Sequence, residues 1–349
     1  MKIFCYFVEP ASYTIDLANN IYEKKNIDYC FINSTTLVPS KINTQKDFLD
    51  NLGFISRLVY VYNIFRKYDF IIINGYNNYP FLLSFIFNLF SFKKKYIAIE
   101  SDTQLSVPAN ILKRFCKWVY LSIIFNHNYI FGFAAGNFSH KDLFRSYGMK
   151  EERIFLMPLM VDNQRFYCHN KEFSDIFTFL YIGRLVKHKG VEELINIFNS
   201  HFIGKKAVLR IVGGGKEADY LNKRYASDQI IFAGKKSNHE LIHELHSASC
   251  FVCPSLFEPW GLVVNEALSA ALPVICTKHV GASSDLILGK NTGFISCDMN
   301  DFGNKMLTLY NDPMLLREFS KNANFMMLDN WNYDLYSNCL DDFIEIIKR

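Results

Sequence analysis

Short apolar runs alternate along the chain with longer segments in which apolar residues recur every three or four positions. The runs read as strands buried on both faces, and the periodic segments as amphipathic helices. In the first half the pattern predicts strands at 2–8, 27–32, 69–73, 95–99 and 129–133, separated by helices at 14–25, 54–67, 79–91 and 108–122. A short helix at 139–147, with Ser139 as its cap, and a strand at 154–157 follow. Residues 159–174 carry no periodicity and mark a junction. The alternation then restarts, with strands at 176–182, 206–212, 229–232, 249–253, 273–276 and 293–295 and helices at 189–200, 215–225, 238–246, 261–270, 282–287 and 300–308. The segment 313–348 is helical apart from a break at Asn330-Trp331-Asn332. Such alternation predicts an α/β chain of two Rossmann-like, doubly wound domains facing across a cleft, with ligands at the loops that follow the carboxyl ends of the strands. The expected limits are 1–165, 166–315 and a set of C-terminal helices, 316–349, packing back on the first domain.

Length agrees with two domains: 349 residues, 50% of them hydrophobic, at roughly 100–200 residues per domain. Charge divides unevenly. Residues 1–165 carry 19 Lys and Arg against 13 Asp and Glu, and residues 166–349 carry 19 against 21. A basic first half suits an anionic membrane or an anionic acceptor, and equally an ordinary solvated surface. The nine cysteines are scattered, several of them inside apolar strands, which argues for a reducing compartment rather than a disulfide framework. Met1-Lys2 leads straight into a core strand, no secretory leader is visible, and no run reaches the length of a membrane span. A cytoplasmic protein is expected, with contact to the inner face of the membrane left open. Residues 79–95 and 111–125 set aromatic and basic residues beside apolar stretches, a pattern that fits a membrane surface as well as helices packed on a sheet. No aromatic-basic interleaving supports a nucleic-acid partner.

Three loops carry the chemistry. Tyr181 to Gly190 joins a strand end at Gly183 to a helix start and holds Arg184, Lys187 and Lys189, a composition suited to a diphosphate and equally to a solvated basic loop. Gly213-Gly214-Gly215 follows the next strand and allows close approach of a ligand or simply a tight turn. In Phe257-Glu258-Pro259-Trp260-Gly261-Leu262, Glu258 sits in a loop after a strand, and Glu266 lies in the helix that follows. Two carboxylates beside a helix start suit a polyhydroxylated, phosphorylated ligand, because carboxylates accept from hydroxyls and free N–H groups attract phosphate. His239-Glu240-Leu241-Ile242-His243 matches the zinc-protease pattern, but an amphipathic helix explains it better. Cys250 and Cys253 share only the spacing of a redox pair and read as a core strand.

These segments, in this order, resemble retaining glycosyltransferase family 4, a two-domain GT-B fold used widely in bacterial surface polysaccharide assembly, including lipopolysaccharide and capsule. Its hallmark is two glutamates separated by seven residues, here Glu258 and Glu266. Pro273-Val274 and the connector Lys141 to Phe166 also fall in place, so the resemblance covers most of 136–310. It implies a sugar transferase using a UDP-sugar or GDP-sugar donor and a glycan or lipid-linked acceptor, with no cofactor and no essential metal. Arg184 and Lys189 would neutralise the donor diphosphate. Glu258 would contact donor-sugar hydroxyls, and Glu266 the ribose. The backbone of Trp260, Gly261 and Leu262 would contact sugar or diphosphate, while Gly183, Gly213 and Gly214 line the nucleotide. Retention would come from front-face attack, with the leaving diphosphate helping to deprotonate the acceptor. The first half departs from the family. The loop Val8 to Tyr13 has no glycine, and Glu100-Ser101-Asp102 stands where a histidine is common. Asp102 is the candidate polar residue there, either to orient the acceptor or a sugar hydroxyl or as a general base, with Glu100 and Ser101 as rivals, and Asn74 to Asn78 is placed on the acceptor side. A non-catalytic sugar-nucleotide or glycan-binding relative is the alternative.

Overall fold

The structure is a computed structural model and describes residues 1–35 and 48–348. The first half of the chain forms a six-stranded parallel sheet: β1 (Ile3–Phe7), β2 (Asp28–Phe31), β3 (Phe70–Asn74), β4 (Tyr96–Ser101), β5 (Ile130–Ala134) and β6 (Ile154–Leu156). The second half forms another: β7 (Phe177–Ile182), β8 (Ala207–Val212), β9 (Ile230–Gly234), β10 (Cys250–Cys253), β11 (Val274–Thr277) and β12 (Gly293–Ser296). Every named pairing is parallel. The strand orders are β2-β1-β3-β4-β5-β6 and β12-β11-β10-β7-β8-β9. In each sheet the first strand lies inside, with its successor on one side and a later strand on the other. The direction of winding reverses there, and loops leaving the carboxyl ends of those two strands diverge to leave room for a ligand.

Both sheets exist because their strands are apolar on both faces. β3 reads Phe-Ile-Ile-Ile-Asn and β10 reads Cys-Phe-Val-Cys, and all but Asn74 are buried. Cys250 and Cys253 are therefore core residues. One face of the first sheet packs against the helices Phe54–Lys67, Tyr79–Phe90 and Ile111–Phe125 through a single cluster that includes Phe65, Phe81, Phe85, Leu121 and Phe125. The other face takes Phe343, whose ring meets Phe70, Phe131, Phe133 and Phe155.

The chain divides into two compact units, Met1–Leu159 with Tyr333–Arg349, and Met160–Asn332. Of the C-terminal helices, Pro313–Phe325 stays with the second unit and Tyr333–Lys348 belongs to the first. Local geometry also departs from periodicity in places. The helix expected at 14–25 starts at Ser12 and widens to a π-helical turn over Ala18–Tyr22. The helix expected from 189 begins at Val191, because Gly190 adopts a left-handed conformation after a 3₁₀ turn over Lys187–Lys189. Ser139 is not a cap. It is the first helical residue, and its hydroxyl donates to Gln104 Oε1 at 3.2 Å.

Candidate active site

In the second unit, β10, β7 and β8 are adjacent, so the loops that follow them leave one edge of the sheet side by side. These are the three loops singled out by composition. Backbone contacts weld them together. Leu256 N donates to His188 O at 2.9 Å and Leu185 N to Gly214 O at 2.9 Å. A Cβ on Gly213 would stand 1.9 Å from Gly183 O, at a φ of +139° that side chains rarely adopt. The turn is glycine because two backbones touch there, so the close approach it permits is first of all to the chain itself. Gly183 is constrained in turn: its N–H donates to Val212 O at 3.0 Å.

The loop after β10 is fixed from its other side. Glu258 N donates to His279 O at 3.1 Å, Gly281 N to Glu258 O at 3.0 Å and Ala282 N to Trp260 O at 2.9 Å. Gly261 then turns the chain with φ +96° into helix Leu262–Ser269, which has no side-chain cap at its start. The opening N–H groups of that helix, with the positive end of its dipole, are available to an anion. Trp260 contributes only backbone. Its indole is buried, stacked on Trp331 with centroids 5.5 Å apart, and donates to Asn265 Oδ1 at 2.8 Å.

Lys189 and Glu258, 69 residues apart, form an ion pair between the first and third loops, and Lys189 is buried. Arg184 is exposed, its carbonyl accepting from Tyr181 Oη at 3.0 Å. Glu266 is half-buried on the helix, and burial pushes its carboxyl up to about 7, against a lowering by the positive charge of Arg165. A carboxyl held at that level costs little to protonate, and hydroxyl donors from a ligand would favour its charged form. The structure thus gathers Lys189 and Glu258, sets Arg184 on the exposed rim of the same loop, and carries Glu266 on the helix that Gly261 starts.

Glu240 and His246 of the segment 239–246 have partners of another kind. Glu240 closes a capping box with Ser237 and pairs with Lys236 at 3.1 Å, and His246 Nε2 lies 2.8 Å from Phe166 O. Among the described residues no group of three or more His, Cys, Asp or Glu could hold a metal ion.

The first unit has a cavity of about 330 Å³ at the carboxyl ends of β1, β3 and β4. Asp102, Glu100 and Ser101 all line it, as do Glu9, Tyr13 and Asn74. Asp102 is exposed, whereas Glu100 is held: Asn74 Nδ2 donates to one carboxylate oxygen and Tyr336 Oη to the other at 3.2 Å. Burial pushes the Glu100 carboxyl up to about 7, the two donors pull it down, and Asp102 adds a smaller upward push. Burial and the Asp102 charge raise the Tyr13 hydroxyl. Tyr336 was not legible beforehand. It stands on the last helix, 236 residues from Glu100, and shares a hydrogen bond of 2.8 Å with Tyr22, so only the folded chain makes it a neighbour.

Residues 168–325 match the family model for glycosyl transferases group 1. A glycogen synthase of Mycobacterium tuberculosis is 32% identical over 130 residues, which are 35% of this chain and 30% of that one. The chain thus spans about a third of the length of the curated relatives it matches first. Likeness of the whole fold is broader. A sucrose-phosphate synthase of Thermosynechococcus elongatus superposes with a TM-score of 0.75 at 17% identity, covering 99% of each chain. The Anabaena protein HepE, solved with UDP, gives 0.74 at 15% identity over 99% of this chain and 100% of its own. Residues 168–325 are therefore similar to a glycosyl transferases group 1 domain, in a chain whose two α/β units have the GT-B fold of the solved structures.

Proposed function

We propose that this chain is a retaining glycosyltransferase that moves a sugar from a nucleotide-diphosphate donor to a hydroxyl of a glycan or lipid-linked saccharide. The observation that carries the reading is the Lys189–Glu258 pair at the winding reversal of the second sheet, beside the uncapped start of helix Leu262–Ser269. An ammonium, an exposed guanidinium at Arg184 and free helix N–H groups suit a departing diphosphate, whose charge they stabilise as it leaves. Lys189 would divide its donors between Glu258 and phosphate. Glu258 would accept from the sugar hydroxyls, and Glu266 from the ribose. No residue need act as a nucleophile in this scheme, and no metal is invoked. The first-unit cavity, with Asp102 and Glu100, would orient the acceptor.

UDP is the favoured nucleotide, because the structural relative HepE has been solved with UDP and with UDP-glucose. The test is thermal stabilisation by a panel of UDP-, GDP- and CDP-sugars, followed by transfer assays with the donor that stabilises. Selective stabilisation by UDP-sugars, with transfer lost in Arg184→Ala, is expected. Stabilisation by none of the panel would refute donor binding. Binding without donor hydrolysis or transfer would refute catalysis and leave a sugar-nucleotide-binding protein.

A further inference from the structure

We propose that the outer face of the first unit, formed by helices Phe54–Lys67, Tyr79–Phe90 and Ile111–Phe125, docks on the surface of an anionic phospholipid bilayer. The three helices lie on one face of the sheet and share one core cluster. Each therefore turns its opposite face outward, and in each that face is apolar. Ile55, Val59 and Tyr62 form one exposed stripe, Leu82, Ile86, Leu89 and Phe90 a second, and Ile111, Leu112, Phe115 and Trp118 a third. Their spacings of three and four residues put each set on one side of its helix. Exposure is extensive: Ile55 is 74% exposed, Phe90 82% and Ile111 79%. Scattered exposed apolar residues are ordinary, but three such stripes on helices that share one core cluster make a surface of the kind that marks docking.

Charge selects the occupant. Segments 54–67, 79–95 and 108–125 each carry three Lys or Arg, and none carries an Asp or Glu. Between the first two helices a groove of about 450 Å³ combines Phe65, Phe87 and Phe90 with Arg66 and Lys93; Lys95, which is buried, and Lys93 lie 3.7 and 3.9 Å from Asp69, which leaves Arg66 and the exposed Lys93 at the rim for an anionic head group. The opposite side of the same sheet is covered by helix Tyr333–Lys348, with Asp334, Asp341, Asp342 and Glu345 against Lys348 alone. Asp341 is paired with Lys25 at 2.6 Å, and Asp334, Asp342 and Glu345 leave that helix acidic where the three segments of the other side carry only cations. A second copy docked by a two-fold axis would set this cationic face against itself, at a cost in like-charge repulsion. An anionic bilayer meets both the cations and the apolar side chains. The contact would be interfacial: among the described residues no helix is long and apolar enough to cross a membrane.

The inference stands apart from sugar transfer, so its test reads binding alone. Flotation of the full chain would be measured with vesicles of phosphatidylglycerol in phosphatidylcholine, and with phosphatidylcholine vesicles as the neutral control, at low and high salt. The wild-type chain is expected to float with the anionic vesicles and to be released by salt. K93A/K94A should weaken partition roughly 25-fold, at about fivefold for each cation. L112S/F115S should weaken it at least tenfold with unchanged thermal melting, since both side chains are exposed. No flotation with anionic vesicles, or equal flotation with neutral ones, would overturn the proposal. So would a wild-type dimer that stays off vesicles and becomes monomeric in L112S/F115S, which would assign the face to a second copy.

Discussion

Replacing Glu266 by Gln should make the ligand-free protein more stable while weakening its hold on a nucleotide. Burial pushes the Glu266 carboxyl from an ordinary 4.5 up to about 7. The folded chain then binds a proton that the unfolded chain has released, so stability falls as pH rises between those two values. Below 4.5 the carboxyl is neutral in both states and the cost is absent. Above about 7 it is charged in both and the cost is full. At about 1.4 kcal/mol per pH unit, the difference sets an upper bound of about 3 kcal/mol at about pH 8, falling below about 1 kcal/mol at about pH 5. Glutamine keeps the shape and carries no charge, so the variant should melt higher near pH 8 by up to about 10 °C, with the gap closing on acidification. A nucleotide bound through ribose hydroxyls loses charge-assisted hydrogen bonds in the variant, each worth about 1.5–3 kcal/mol, so UDP should stabilise it far less. Scanning fluorimetry from about pH 5 to about pH 8, with and without UDP, measures both effects. Equal melting of variant and wild type near pH 8, or a gap that persists unchanged near pH 5, would refute the burial argument. Unchanged stabilisation by UDP would remove Glu266 from the donor site.

Other substitutions separate binding from architecture. Arg184→Ala should leave stability within about 0.5 kcal/mol, because the side chain is exposed, yet reduce kcat/KM for transfer roughly a hundred- to thousandfold; a fully active variant would dismiss the guanidinium from the site. Glu258→Gln strands the buried Lys189 ammonium without its carboxylate and should cost about 3 kcal/mol in urea denaturation. The double variant K189M/E258Q should recover part of that loss, and strict additivity would show that the pair is not coupled. Gly213→Ala forces a methyl onto Gly183 O and should cost more than about 3 kcal/mol or abolish soluble expression; wild-type melting would mean that the two loops do not touch as described.

Much of the candidate site in the second unit was legible along the chain because its residues are local in sequence. Strand, basic loop and helix start follow one another within Tyr181 to Val191, and Glu258, Gly261 and Glu266 fall inside one loop and the helix it begins. Strand positions were legible for the same reason: a run such as Ile71-Ile72-Ile73 has few places to go but the middle of a sheet. Periodicity could not show where a turn tightens, so the π-helical stretch at Ala18–Tyr22 and the left-handed Gly190 appear only in the folded chain.

What tertiary structure alone decided is which distant residues became partners. Strand order brought the loops after β7, β8 and β10 together and so set Lys189 on Glu258, two residues to which the family resemblance had given separate roles. It made Gly213 a contact between backbones. It set Asn74 and Tyr336 on Glu100, giving a held position to a carboxylate that the comparison with the family had ranked behind Asp102. It also gathered the two segments marked by aromatic and basic residues, with a third basic helix, onto one face and an acidic helix onto the other. The physical reason is common to all four. Propensity and periodicity act over a few residues, whereas ion pairing, desolvation and the charge of a surface depend on neighbours that only the winding of the sheet supplies.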